Sequence, residues 1–155
     1  MENQADRAGV VILPPLLMLI ALLVVIVLHW LWPLRTSMWR LAVAVGIILG
    51  ALGIGSMAWG RKTLVKGGTN VSPLKPVTGI ITDGPYRFTR NPLYIGVMSL
   101  FIGLSLIIGT WWGFVVFIPV FLILHYGVIL REERYLEQKF GDSYLKYKGM
   151  VRRYL

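Results

Sequence analysis

The chain has 155 residues, no cysteine, a formal net charge of +9 and 56% apolar residues. That length allows one domain, and the missing cysteines exclude a disulfide framework, a thiolate metal site and a cysteine nucleophile. The mean hydropathy is strongly positive, too apolar for an ordinary soluble fold, so the charge reads first as a membrane-topology signal and only then as affinity for nucleic acid.

Residues 1–9 are polar and carry mixed charge, with no small-residue cleavage site after the apolar run that follows, so they are expected to fray and not to act as a secretory signal. Residues 11–31 form an apolar segment long enough to cross ~30 Å of hydrocarbon. Pro14 and Pro15 fall in its first turn, where a missing N–H costs little. It ends in His29-Trp30-Leu31-Trp32-Pro33, an interfacial aromatic cluster followed by a helix stop. After a short turn, residues 39–59 form a second apolar segment in which Gly46, Gly50 and Gly53 make a smooth stripe for close helix approach.

Residues 60–91 are a long polar connection, and connections of that length inside a compact domain are functional or disordered. Gly67-Gly68 is not followed by a phosphate-loop pattern. Residues 92–108 form a third apolar segment with Gly96, Ser99 and Gly103 on a small-residue face. Gly109-Thr110 turns the chain, and residues 111–130 return across the membrane. In the charged tail 131–155, Leu136, Phe140, Tyr144 and Tyr147 recur at helical spacing, as in an amphipathic surface helix. The expected fold is therefore one all-α integral-membrane domain over residues 1–155, with four transmembrane helices plus a C-terminal amphipathic cytoplasmic helix.

Four spans place both termini on one side. Arg7, the basic residues of the 60–91 connection and those of the tail make fourteen on that face, and only Arg35 and Arg40 lie on the other. The positive-inside rule makes the fourteen-residue face cytoplasmic, and a bacterial inner membrane is the expected location. Trp30, Trp32, Trp39, Trp111 and Trp112 mark the outer interface. The outer turns are too short to hold a site, so chemistry is expected at the cytoplasmic mouth. Lipid anchoring alone would also account for the charge, since each basic residue near an anionic surface contributes ~1 kcal/mol. Nucleic acid is not an expected partner, because the basic residues track a membrane face without a recognition motif.

Two clusters meet at that mouth. One is Arg87…Arg90-Asn91-Pro92-Leu93-Tyr94-Ile95-Gly96; the other is Arg131-Glu132-Glu133-Arg134. Asn91-Pro92 has a structural explanation as N-cap and first helical residue, yet free N–H groups at a helix start also bind anions. Arg87 and Arg90 serve either as interface anchors or in a site, and Tyr94 either in the aromatic belt or in a pocket. Glu132 and Glu133 are costly at a membrane boundary unless solvated or matched by cations. His125 lies two turns before Glu132 and reads as a buried, satisfied histidine or a base. With His29 it is one of only two histidines, and no metal site is expected.

These residues resemble a family. Gly84-Pro85-Tyr86-Arg87…Arg90-Asn91-Pro92-Leu93-Tyr94-Ile95-Gly96, then Glu132-Glu133…Leu136…Phe140-Gly141…Tyr144…Tyr147, is similar to the isoprenylcysteine carboxyl methyltransferase and phospholipid methyltransferase superfamily, over about residues 74–155. The resemblance implies S-adenosylmethionine as cofactor, wrapped by the ends of the last two spans and the tail. It puts Arg90, Asn91, Pro92, Tyr94 and Gly96 on the cofactor-binding motif and Glu132 and Glu133 on its second half. Glu132 or Glu133 can then meet positive charge or ribose hydroxyls, Arg87 or Arg90 can hold a carboxylate, and Tyr94, Tyr144 or Tyr147 can stack on adenine. Arg87, Arg90 and Glu133 are the candidate catalytic residues. Carboxyl methyltransferases of this group carry His-Pro where this chain has Asn91-Pro92, and Asn cannot act as a general base. The implied acceptor is a lipid or other lipophilic small molecule. A membrane reductase of the related sterol-reductase fold, and a non-catalytic scaffold or lipid-binding protein, are the alternative expectations.

Overall fold

The computed structural model describes residues 8–154. Arg7, one of the fourteen basic residues in the topology count, and the rest of the polar N-terminal stretch lie outside them. The described chain is all-helical: α1 Pro14–Leu31, α2 Trp39–Lys66, α3 Pro92–Ile108, α4 Trp112–Leu124, α5 Leu130–Phe140 and α6 Asp142–Met150, with a 3₁₀ turn at Gly84–Arg87. A π-helical turn, His125–Ile129, joins α4 to α5 without a break in the helical path. No strand forms among the described residues, where Arg35 and Thr110 make an isolated antiparallel bridge.

By length and composition three helices can cross a membrane: Pro14–Leu31, Trp39–Lys66 and the continuous Trp112–Phe140; α3 is apolar but shorter. Their outward faces stay apolar and uncovered, as at Leu23 of α1 and Leu52 of α2, which are 54% and 63% exposed. In water such faces would be a liability, and beside lipid tails they cost nothing. The buried core joins α1, α3 and α4 through Leu17, Val25, Phe101, Val120 and Leu124.

α2 lies outside that core and packs along α3. The two small-residue stripes read from the sequence face each other there. A Cβ on Gly53 would stand 2.5 Å from the Gly96 carbonyl oxygen, and one on Gly103 2.6 Å from that of Gly46. Backbones this close need glycine on both sides. Ser99 and Ser56 then donate across the seam to the carbonyls of Leu49 and Pro92, each at 2.9 Å.

At the tryptophan-rich end, Trp111 N–H donates to Leu34 O at 3.0 Å and Thr36 N–H to Gly109 O at 3.1 Å, joining the two short turns. Gly109 ends α3 in the left-handed region, φ 79°, which favours glycine.

Two boundaries differ from the sequence expectation. α2 runs past Trp59 to Lys66, because Arg61-Lys62-Thr63-Leu64 can continue a helix beyond the apolar stretch, so the connection is only residues 67–91. That connection is ordered on itself: Asn70 Nδ2 donates to Pro76 O at 2.8 Å, and Thr78 Oγ1 to Gly68 O at 2.8 Å. The tail is two helices instead of one amphipathic rod, broken at Gly141, whose φ of 51° no regular helix accommodates.

Candidate functional site

The site grows from local rules at residues 84–94. Gly84 has φ 57°, and a Cβ there would press to 2.7 Å from Thr63 Oγ1, so glycine starts the 3₁₀ turn. Pro85 fixes the next step, and Tyr86 is thereby turned inward, 8% exposed. Thr89 Oγ1 accepts from Asn91 N–H at 3.2 Å, and Pro92 opens α3 at its first turn as anticipated. Asn91 occupies the cap position, with its carbonyl accepting from Ile95 N–H at 3.0 Å. Its side chain caps nothing; Nδ2 instead donates to Arg153 O at 3.0 Å.

α5 and α6 supply the opposite wall. Tyr94 Oη donates to Glu132 Oε1 at 2.7 Å, which brings the starts of α3 and α5 together as the expected hairpin requires. Glu133, 4% exposed, faces the arginines. Its Oε1 accepts from Arg153 Nε at 2.8 Å and stands 3.2 Å from Arg90 Nη1; its Oε2 accepts from Arg153 Nη2 at 2.8 Å. From α6, Tyr147 Oη donates to Tyr86 O at 2.8 Å, and Arg90 Nη1 reaches Tyr144 Oη at 3.5 Å. Burial pushes the phenols of Tyr86 and Tyr147 up, and that of Tyr144 up to about 12, with Glu133 adding to the last. All three therefore stay protonated at neutral pH; Tyr147 donates to the Tyr86 carbonyl, whereas the Tyr144 hydroxyl accepts from Arg90.

Arg90, Asn91, Pro92, Tyr94, Glu132, Glu133, Tyr144 and Tyr147 line one cavity together with Leu64, residues 69–73 and 79–81, Lys75, Tyr86 and Leu136. Two expected residues are not in it. Arg87 is exposed at the end of the 3₁₀ turn, since that turn aims Tyr86 inward and its neighbour outward. Gly96 faces α2, where a Cβ would lie 2.6 Å from Gly53 O, so its need for glycine is helix contact. His125 is also outside the lining: its Nδ1 pairs with Tyr154 Oη at 2.6 Å and its ring stacks on Phe121. The sequence reading did not single out Tyr86, Thr89 or Arg153 for the site. Tyr86 sits inside the quoted motif, whereas Arg153 carries no local signal at all.

Charge in the cavity is divided. Glu133 is matched by two guanidinium groups, which leaves one positive charge in surplus beside it. Arg90 is the more deeply buried of the two, with 7% of its side chain exposed, and its Nε has no hydrogen-bond partner among the described residues. Glu132 accepts from the neutral Tyr94 and has no cation at ion-pair distance among the described residues. A buried surplus cation and an unmatched carboxylate are each costly alone, and a cavity lined by both, with Lys75 as a further cation, favours a ligand carrying both signs. The phenols of Tyr94, Tyr144 and Tyr147 add faces for a flat ring.

A family model described as phospholipid methyltransferase matches residues 41–143. An uncharacterised protein of Haemophilus influenzae is 39% identical over 66 residues, 41% of this chain and all of that protein. A protein-S-isoprenylcysteine O-methyltransferase of Schizosaccharomyces pombe is 33% identical over 72 residues, 46% of this chain. The match spans only 30% of that yeast protein's length. No solved structure matches the chain.

Proposed function

The chain belongs to the phospholipid methyltransferase family, and from that membership we propose that it is an integral-membrane methyltransferase using S-adenosylmethionine on a lipid-like acceptor. The observation that carries this reading is the mixed charge of a single cavity: Arg90 in surplus beside Glu133, and Glu132 without a cation. The cofactor's amino-acid end bears a carboxylate and an ammonium, and beside them stands the sulfonium; that pattern fits the residues present. Arg90 would hold the carboxylate through charge-assisted hydrogen bonds, Glu132 would face positive charge, and Tyr94, Tyr144 or Tyr147 would flank the adenine.

When bound, the cofactor supplies an electrophilic methyl group. The chain's own residues supply position and dryness, which is what an in-line displacement needs most. The protonated Tyr86, Tyr144 and Tyr147 orient polar groups and take no proton at neutral pH. The apolar side formed by Leu64, Ile81, Leu93 and Leu136 suits a lipophilic acceptor.

In this reading α3 is a fourth span within one domain of residues 1–155, and both ends with the 67–91 connection lie on the cytoplasmic side of a bacterial inner membrane. The fourteen-to-two division of basic residues supports that orientation. Calorimetry on the purified protein with S-adenosylmethionine tests the function. Saturable binding that Arg90→Ala and Glu132→Ala each weaken is the expected result. No binding by the wild type, or binding indifferent to both substitutions, would refute it.

A further inference from the structure

Beyond α6 the chain turns extended at Val151, φ −121° and ψ 133°, and its last described residues strap across the start of α3. Arg90 N–H donates to Arg152 O, and Thr89 Oγ1 and Asn91 Nδ2 both donate to Arg153 O, each at 3.0 Å. Tyr154 anchors the strap further on, against His125 at 2.6 Å and with its ring beside Phe121. The strap residues 151–154 lie outside the 41–143 stretch that the family match covers.

The strap delivers Arg153 to Glu133 in a fork, Nε and Nη2 each at 2.8 Å from separate carboxylate oxygens. Such a bidentate pair is the strongest arrangement open to a carboxylate. Arg90 makes only a longer approach, 3.2 Å from Nη1 to Oε1. Glu133 is thus satisfied chiefly by Arg153, and Arg90 keeps its charge.

We propose that Arg153 is a positioning residue of the site, whose fork on Glu133 frees the Arg90 guanidinium to hold the carboxylate of the cofactor. The role rests on the S-adenosylmethionine reading above and deepens it. Without Arg153, Glu133 would have Arg90 as its one cation among the described residues, and the fork geometry would pass to Arg90. The anion-binding charge of the cavity would then be cancelled from within. Glu132, held by Tyr94 and by neither arginine, would be untouched.

That asymmetry separates positioning from simple support of the fold. The test is calorimetry of the full-length wild type, Arg153→Ala and Arg153→Lys with two probes: S-adenosylmethionine and its decarboxylated analogue. The wild type is expected to prefer the carboxylate-bearing ligand. Arg153→Ala is expected to lose about tenfold or more in affinity for S-adenosylmethionine and little for the analogue, so that the preference collapses. Arg153→Lys keeps the charge without the fork and is expected to fall between. Parallel loss for both ligands, or no loss for either, overturns the positioning role while the cofactor reading stands. Failure of the wild type to bind either ligand overturns the cofactor reading itself, and this role with it.

Discussion

Glu132 and Glu133 are neighbours in sequence with opposite circumstances. Glu133 is buried between two guanidinium groups, whereas Glu132 has the Tyr94 hydroxyl and the open cavity. Glu132→Gln is therefore expected to keep the hydrogen bond from Tyr94 and the fold while reducing S-adenosylmethionine affinity about tenfold, roughly 1.4 kcal/mol. Calorimetry paired with a melting curve separates the two effects. Glu133→Gln is expected to lower the melting temperature as well, because two arginines lose their common partner. The protonated phenols set a pH limit. Burial holds the proton on Tyr144 up to about 12 and raises Tyr86 and Tyr147 also, whereas unfolded tyrosines ionise near ~10. The folded chain binds these protons more tightly, so stability is level below about pH 10 and falls as the pH rises toward 12. Melting curves across that range should show the decline, and Tyr144→Phe should make it shallower. Eight lining residues were legible because each lies in one of two short motifs. Arg153 was not, since its role exists only once the strap brings it beside a carboxylate 20 positions away.

At the level of elements, α1 and α3 were readable because apolar runs end at clear punctuation: Trp32-Pro33 for one, Asn91-Pro92 and Gly109 for the other. The end of α2 was hidden because polar residues at its last two turns form helix as readily as loop. The single tail helix failed for the opposite reason: Tyr144 and Tyr147 keep the spacing of a helix, but Gly141 breaks the path and both tyrosines turn inward. The α2–α3 seam makes a sharp prediction. Gly53→Val places branched bulk against the Gly96 backbone and should destabilise the protein by roughly 1–3 kcal/mol, as overpacking does. Gly55→Ala, where nothing lies within 4 Å of the added Cβ, should leave the melting temperature near that of the wild type.

For the whole molecule, the proposed orientation rests on the distribution of charge, and the absence of cysteine makes it directly measurable. Single cysteines placed at Ser37 and at Lys75 in intact cells should differ: the first is expected to react with an impermeant thiol reagent, the second only after the membrane is opened. The reverse pattern would invert the proposed topology. The proposed orientation is argued from sequence alone, by counting charges between apolar runs. The sequence placed the starts of α3 and α5 at one mouth, but not which side chains face the cavity nor where the strap crosses α3, which depends on helix rotation and not on helix order.

Rotation is where the π turn at His125–Ile129 matters. Each residue of a regular helix advances the face by about 100°, and a wider turn changes that count, so everything downstream is re-aimed. The turn also leaves Gly127 O to accept from Val11 N–H at 3.0 Å, which fastens the altered phase to the segment before α1. The bulge works as a clutch between two jobs of one continuous rod: an apolar face set for lipid above, and a carboxylate pair set for the cavity below. Rewinding the same five residues as regular α-helix, with none removed, would over-rotate α5 by about one residue's 100° and turn its acids away from the arginines, a protein better wound and worse aimed.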